Sequence, residues 1–314
     1  MPIHTSPNYW ILETNHTAYA FGLDPDGRLV NFYWGARLLH PTDYPTECFP
    51  QGWASFNDEG QLAREEYPAE SGLKYIEPCF KGQYADGVRD TVLRFEKAEQ
   101  NENDLLIYLI DVLENLRIVL HYRVHEQYDL LERWVSVINM GTTPITLERV
   151  LSAQWHLPRA RDYRLSHLHG RWADEYNLTR EPLINGVKVL ESRRLTTSHH
   201  ANPWFAVDCG NADEEQGEVW FGALAWSGNW KFIAETTDFS MTRLSLGLND
   251  WDFAWRLNPN ETFDTPSAIF GYADNGFGSA SRRLHDYIRD RILPNGTDLR
   301  KVLYNSWEAT TFNV

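Results

Sequence analysis

Asn305, Ser306, Trp307 and Glu308 are the residues of this chain best placed to do chemistry. They follow Val302, Leu303 and Tyr304, an apolar, β-favouring run that reads as a strand becoming buried. Residues at the C-terminal end of a β/α-barrel strand face the active site. There Trp307 would stack on a sugar ring, while Asn305 and Glu308 would hydrogen-bond its hydroxyls. The competing role for Trp307 is to plug the barrel end. The strand-end rule favours the sugar-facing role, provided that a barrel follows.

Other chemically capable groups carry less. His121 and His125 have the i, i+4 spacing of a helical metal pair, but LRIVLHYRVH alternates as a strand. Two strand residues four apart are about 13 Å apart, too far for one metal. His167 and His169 share a strand face about 7 Å apart, with no third ligand in view. His199 and His200 precede Asn202-Pro203, a loop signal. Zinc spacing, a Gly-rich phosphate loop and a GxSxG elbow are missing from the sequence. No cofactor is implied, and spacing singles out no catalytic carboxylate pair. Asp250 and Asp252 flank Trp251, where a turn-proximal structural role and a sugar contact are equally open.

The net charge of −15 argues against nucleic acid, which needs clustered Lys and Arg. Thirteen Trp and fifteen Tyr suit both sandwich cores and sugar-stacking surfaces, and core packing should take most of them. No apolar run approaches a membrane span. MPIHTSPNYW lacks a basic region followed by an apolar one. Cys48, Cys79 and Cys209 are unpaired in spacing. These features lead us to expect a cytoplasmic protein with reduced thiols and no membrane partner.

The elements that must position Trp307 are mostly strands. Tyr9 to Thr14 and Thr17 to Gly22 read as a hairpin, and Leu29 to Trp34 as a further strand. From Leu93 onward, strands recur at 105–113, 116–124, 131–138, 145–153, 172–173, 187–192, 204–208, 219–227, 230–235, 242–247 and 253–257. That rhythm predicts an all-β sandwich with large sheets. Residues 40–72 are rich in Pro and Gly and break it. Trp53, Phe56, Tyr67 and Tyr75 make the 40–80 stretch a candidate subunit interface. The spacing predicts one helix over 279–293, with Leu284, Tyr287, Ile288 and Ile292 on the face that packs on the sandwich edge. Pro294-Asn295-Gly296 ends it. The expected division is a sandwich over 1–278, a connector over 279–298 and a first barrel strand over 299–314. On this reading the chain is the front portion of a larger enzyme.

The segments NPWFAV (202–207), EVWFGALAWSGNWKF (218–232), LSLGLNDWDFAWRL (244–257), FDTPSAIFGYADNGFGSASRRLHDYIRD (263–290) and VLYNSWEATTFNV (302–314) agree in order and spacing with one family. So do LVNFYWGARL (29–38) and EEYP (65–68). The chain resembles the N-terminal part of the bacterial α-galactosidases of glycoside hydrolase family 36. The resemblance implies a galactose mutarotase-like β-supersandwich followed by a catalytic β/α barrel. It implies retaining release of terminal α-galactosyl groups from substrates such as melibiose or raffinose, by two aspartates that both fall beyond Val314. Trp307 matches the tryptophan bordering the galactose pocket. A loop reaching a neighbouring subunit's site is also implied, and with it a homo-oligomer. Tyr75 fits that loop's pattern, while Lys74 and Ile76 stand where an acid and an arginine are implied. A non-catalytic carbohydrate-binding or oligomerisation sandwich is the alternative, as is an α-N-acetylgalactosaminidase of the same fold.

Overall fold

A computed structural model describes residues 2–46, 63–72, 74, 76–159 and 162–313. Its strands in chain order are β1 (Ile3–Ser6), β2 (Tyr9–Glu13), β3 (Thr17–Leu23), β4 (Leu29–Ala36), β5 (Phe80–Gln83), β6 (Leu93–Gln100) and β7 (Asp104–Asp111). Next come β8 (Leu116–His125), β9 (Leu130–Asn139), β10 (Ile145–His156), β11 (Arg164–Arg171), β12 (Asp174–Pro182) and β13 (Gly186–Ser192). The last seven are β14 (Trp204–Asp208), β15 (Val219–Leu224), β16 (Trp230–Thr236), β17 (Thr242–Leu248), β18 (Trp255–Leu257), β19 (Thr262–Asp264) and β20 (Ala268–Ala273). The helices are α1 (Gly276–Tyr287) and the one-turn α2 (Trp307–Thr310).

Three antiparallel sheets result. One has four strands in the order β1-β2-β3-β4. A second runs β13-β16-β17-β10-β18, with β5 also on β10. The third has ten strands, β12-β11-β14-β15-β20-β9-β8-β7-β6, with β19 also on β9. The chain crosses from the ten-stranded to the six-stranded sheet in the short turn between β9 and β10.

Alternation decides which side chains go inward. In β7, Leu105, Ile107 and Leu109 are buried while the residues between them are half-buried. The inward faces of all three sheets contribute to one continuous core. At its centre Trp34 lies 5.8 Å from Trp155 and 5.6 Å from Phe270, ring centre to ring centre. Tyr19 meets Phe270 edge-on at 5.2 Å. These four residues come from β4, β10, β20 and β3, so the knot ties every sheet. Offset and edge-on ring pairs of this kind are favoured by the aromatic quadrupole.

Several expectations need correction. Trp172 and Ala173 form the tight turn between β11 and β12, not a strand. β20 was not among the expected strands: its six residues are all buried, and a strand covered on both faces has no period-2 signal. Tyr67, offered as part of an interface, is fully buried and donates its hydroxyl to the Leu151 carbonyl at 2.8 Å. Residues 63–69 pass through the interior as a whole. Trp53, Phe56 and Tyr75 lie outside the described residues.

Two charged side chains meet inside this core. Arg133 occupies an inward position of β9 and is fully buried. Its Nη1 lies 2.5 Å from Oε1 of Glu66, itself fully buried, and 2.7 Å from the Gln154 carbonyl. Tyr19 and Tyr122 donate their hydroxyls to the Glu66 carboxylate at 2.7 and 2.8 Å. Burial pushes the Glu66 carboxyl above the usual carboxylate range, against the pull of Arg133 and the tyrosine hydroxyls. Removing one member leaves an uncompensated charge, so Arg133→Met should cost about 3–5 kcal/mol. Urea unfolding of Arg133→Met, Glu66→Gln and the double variant checks this. The double variant should lose clearly less than the two single losses together, and strict additivity would show that the pair is not coupled.

Candidate functional site

Asn305, Trp307 and Glu308 lie in an exposed terminal segment. Val302, Leu303 and Tyr304 are exposed and form no ladder with the described residues, so the expected barrel strand is not formed. A strand needs a neighbour for its backbone N–H and C=O groups, and no sheet edge supplies one here. Trp307 instead opens α2. Its backbone N–H donates to Oδ1 of Asn305 at 2.9 Å, and its ring meets Phe312 edge-on at 4.9 Å. The indole remains 48% exposed. The structure therefore gathers Asn305, Trp307 and Glu308 in one turn, with their apolar approach uncovered.

The segment leaves the sandwich through α1. Phe277, Ala280, Leu284 and Tyr287 pack on Val219, Phe221, Ile269 and Ala273, so the helix lies on the outer face of the ten-stranded sheet and not on its edge. That contact is what buries the second face of β20. The helix begins three residues earlier than expected. Its continuation, Ile288–Ile292, widens into a π-helical turn. Ile288 and Ile292, expected on the packed face, are 40% and 52% exposed.

Two devices hold α1. At its start, the N–H groups of Phe277 and Gly278 donate to the carbonyls of Asp213 and Glu214 at 2.8 and 3.0 Å. Gly276 has φ +74°, and a Cβ there would run into the Asp213 carbonyl, so glycine is required. The second device is Asp129, 7% exposed, in the turn between β8 and β9. Its carboxylate accepts from Thr14 Oγ1 at 2.7 Å, from the His16 backbone N–H at 2.7 Å and from Arg283 of α1 at 3.3 Å. It also lies 2.6 Å from His16 Nδ1. Burial raises the Asp129 carboxyl, but the donors from Thr14 and His16 outweigh it and leave it below the usual range. Asp129 belongs to none of the sequence motifs named above. Its only sequence signal is an Asp at the end of a turn between two strands.

The histidines and Asp250 have protein partners of their own. His121 lies 2.8 Å from Ser136 Oγ and stacks on Trp134, whereas His125 lies 2.8 Å from Glu132. His167 faces Glu181 at 3.0 Å. Among the described residues no three His, Cys, Asp or Glu come together to hold a metal. Asp250 is engaged by Arg149 and Lys231. Lys74 pairs with Glu65 at 2.5 Å. Ile76, beside Tyr75, lines a 370 Å³ surface cleft with Val187, Glu235 and Phe239. No described helix is long and apolar enough to cross a membrane.

Residues 27–258 match the model for the glycosyl hydrolase family 36 N-terminal domain, and residues 262–314 match the Melibiase model. The chain belongs to glycoside hydrolase family 36. It is 31% identical to the α-galactosidase AgaA of Geobacillus stearothermophilus, covering 96% of this chain and 45% of that protein. The structure superposes on the crystal structure of the α-galactosidase AgaB from the same organism with a TM-score of 0.91 and 30% identity. That match covers 100% of this chain and 47% of AgaB. An AgaA variant solved in complex with stachyose gives a TM-score of 0.89 at 31% identity, over 97% of this chain and 46% of that one. The family 36 chain thus spans just under half the length of these relatives and corresponds to their N-terminal part.

Within it, the boundary between the two family models falls just before β19, so the Melibiase match takes in β19, β20, α1 and the segment carrying Trp307. Asp129→Asn should loosen α1 while keeping the backbone, because Asn tolerates the φ of +56° found there. Hydrogen bonds to a charged group suggest a loss of about 2 kcal/mol at neutral pH. A carboxyl lowered on folding adds stability that is complete above its unfolded pKa of about 4 and fades as pH falls through the lower folded value. Urea unfolding at neutral and acid pH should show that acid-side loss in the parent protein and a smaller one in Asp129→Asn, where other lowered carboxyls such as Asp250 still contribute. Equal slopes in the two proteins would assign the carboxylate no such role.

Proposed function

We propose that this chain is the N-terminal portion of a retaining α-galactosidase, a cytoplasmic homo-oligomer that releases terminal α-galactosyl groups from oligosaccharides such as melibiose or raffinose. The observation that carries the reading is collinear similarity to α-galactosidases over 96% of the chain, running from sandwich into Melibiase match without a break. The exposed run Val302–Leu303–Tyr304 lies inside that match. A barrel strand that pairs only with later barrel strands would have this look.

In this reading residues 1–278 form the supersandwich, 279–298 the connector and 299–314 the start of the barrel. Retaining hydrolysis requires a nucleophile and an acid/base about 5–5.5 Å apart across the glycosidic bond. Both are assigned to barrel strands beyond Val314. The sandwich and α1 position the first strand, so that Trp307 borders the galactose ring and Asn305 and Glu308 reach its hydroxyls. Tyr75 is assigned to the contact with a neighbouring subunit's pocket.

The purified 314-residue chain should not turn over a chromogenic α-galactoside, whereas the same chain joined to the remaining part of the AgaA barrel should. Turnover by the short chain, free of contaminating enzyme, would overturn the assignment of both carboxylates. In the joined protein, Trp307→Ala should lower kcat/KM by an amount equivalent to about 1–3 kcal/mol while leaving the melting temperature in place. Unchanged kinetics would remove Trp307 from the pocket.

A further inference from the structure

We propose that Asn295 is a site of spontaneous deamidation, at which the turn after α1 converts its own asparagine to aspartyl and isoaspartyl forms. Asn-Gly steps occur three times in the chain, at 185–186, 275–276 and 295–296. In each, the glycine leaves its backbone nitrogen least hindered for attack on the preceding carboxamide. The structure separates the three. Asn185 donates from Nδ2 to Asp238 Oδ1 at 2.9 Å, and Gly186 is held opposite Thr236 in the β13–β16 ladder. Asn275 donates from Nδ2 to Asp274 Oδ1 at 2.9 Å, and the Gly276 N–H donates to the Gly217 carbonyl at 3.0 Å. Asn295 is exposed, and neither its carboxamide nor the Gly296 N–H has a hydrogen-bond partner among the described residues. Of the three steps, this one alone leaves both reacting groups free.

The turn imposes the dipeptide. Asn295 has φ +54°, a left-handed conformation that Gly and Asn adopt most readily. A Cβ at position 296 would run into the Arg289 carbonyl, so the π-helical end of α1 requires glycine there. The turn also activates the nucleophile. Deprotonating the Gly296 N–H places negative charge on the Asn295 carbonyl oxygen, the other end of the same conjugated peptide unit. That oxygen accepts from the Asp298 N–H at 3.1 Å and from Arg300 Nη1 at 3.3 Å. A cationic donor there stabilises the charge as it forms.

The reaction consumes only water. Solvent base takes the Gly296 amide proton, the nitrogen bonds to Cγ of Asn295, and the Cγ–Nδ2 bond breaks to release ammonia. Water then opens the succinimide at either carbonyl, giving the aspartyl or the isoaspartyl product. Each adds a negative charge. The isoaspartyl form also adds a methylene to the main chain between α1 and the Trp307 segment.

The test ages the 314-residue chain in mildly alkaline buffer and follows all three steps by peptide mapping with mass spectrometry. A hydrogen bond that must break before cyclisation slows it, so Asn295 should convert about tenfold faster than Asn185 or Asn275. In guanidinium chloride the three rates should converge, which assigns the difference to the fold and not to neighbouring side chains. Arg300→Gln, a change at an exposed residue, should slow Asn295 about threefold in the folded chain and leave the other two steps unchanged. The proposal falls if Asn295 converts no faster than the other two, or if its lead persists in guanidinium chloride. An unchanged rate in Arg300→Gln would overturn the activating contact.

Discussion

A carboxylate and a guanidinium with no access to water sit between the sheets, and much of the fold is arranged to keep them satisfied. Glu66 and Arg133 cannot be buried alone, since the cost of stripping either charge of water is several kcal/mol. Their partners come from β3, β8 and β10, in the form of Tyr19, Tyr122 and the Gln154 carbonyl. Glu66 itself belongs to no strand, so a connecting segment must be threaded inside to deliver it. That segment is tied along its length. Asn31 of β4 donates to the Arg64 carbonyl, Glu66 donates to the Leu29 carbonyl, and Cys79 donates to the Pro68 carbonyl. Apolar residues of similar volume could fill the same space at equal or lower cost. What the ion pair adds is register, because only one placement of the segment meets all of its partners.

The exit from the sandwich follows the same logic with different groups. The start of α1 exposes N–H groups that need acceptors, and the 213–217 loop supplies carbonyls close enough that only glycine fits at 276. Asp129 then links the β2–β3 turn, the β8–β9 turn and Arg283 of the helix. Two turns far apart in sequence and one helix share a single carboxylate. The direction in which the chain leaves the sandwich is thereby coupled to the packing of the core.

How far this was legible in the sequence depends on the physical signal. Half-buried strands such as β7 and β8 announce themselves by alternation, and their bounds fell within two residues of the expected ones. β20 and the 63–69 segment were not visible as elements. Continuous burial has no period, and an extended segment inside a core has no repeat at all. Arg133 was readable in principle, as a charged residue at an inward position of LLERWVSVIN. Glu66 had only the EEYP motif to mark it, and motif likeness does not say whether a residue serves fold or chemistry. The site residues were legible as a type of sequence, polar residues behind an apolar run, but not as a geometry. The strand that would arrange them pairs with nothing among the described residues.

The buried carboxylates of the sandwich are committed to the fold. Asp208 is fully buried, facing Arg164 at 3.0 Å and the Gly210 N–H at 2.6 Å. Glu235 faces Arg243 at 2.6 Å and accepts from the Glu77 N–H at 3.1 Å. Burial raises Asp250, but Lys231 and Arg149 overcome it and hold the group below the usual range. A glycosidase acid needs the opposite, a carboxyl held protonated near neutral pH with its proton aimed at the leaving oxygen. A nucleophile needs an oxygen open to the sugar rather than one committed to a guanidinium. These carboxylates, clamped by cations, offer no open oxygen to a sugar, because the contacts that make them useful to the fold occupy their lone pairs. Glu66, whose carboxyl is raised, is sealed away from any substrate. The same clamps that hold these side chains in place tie the sheets and the exit helix of the sandwich together.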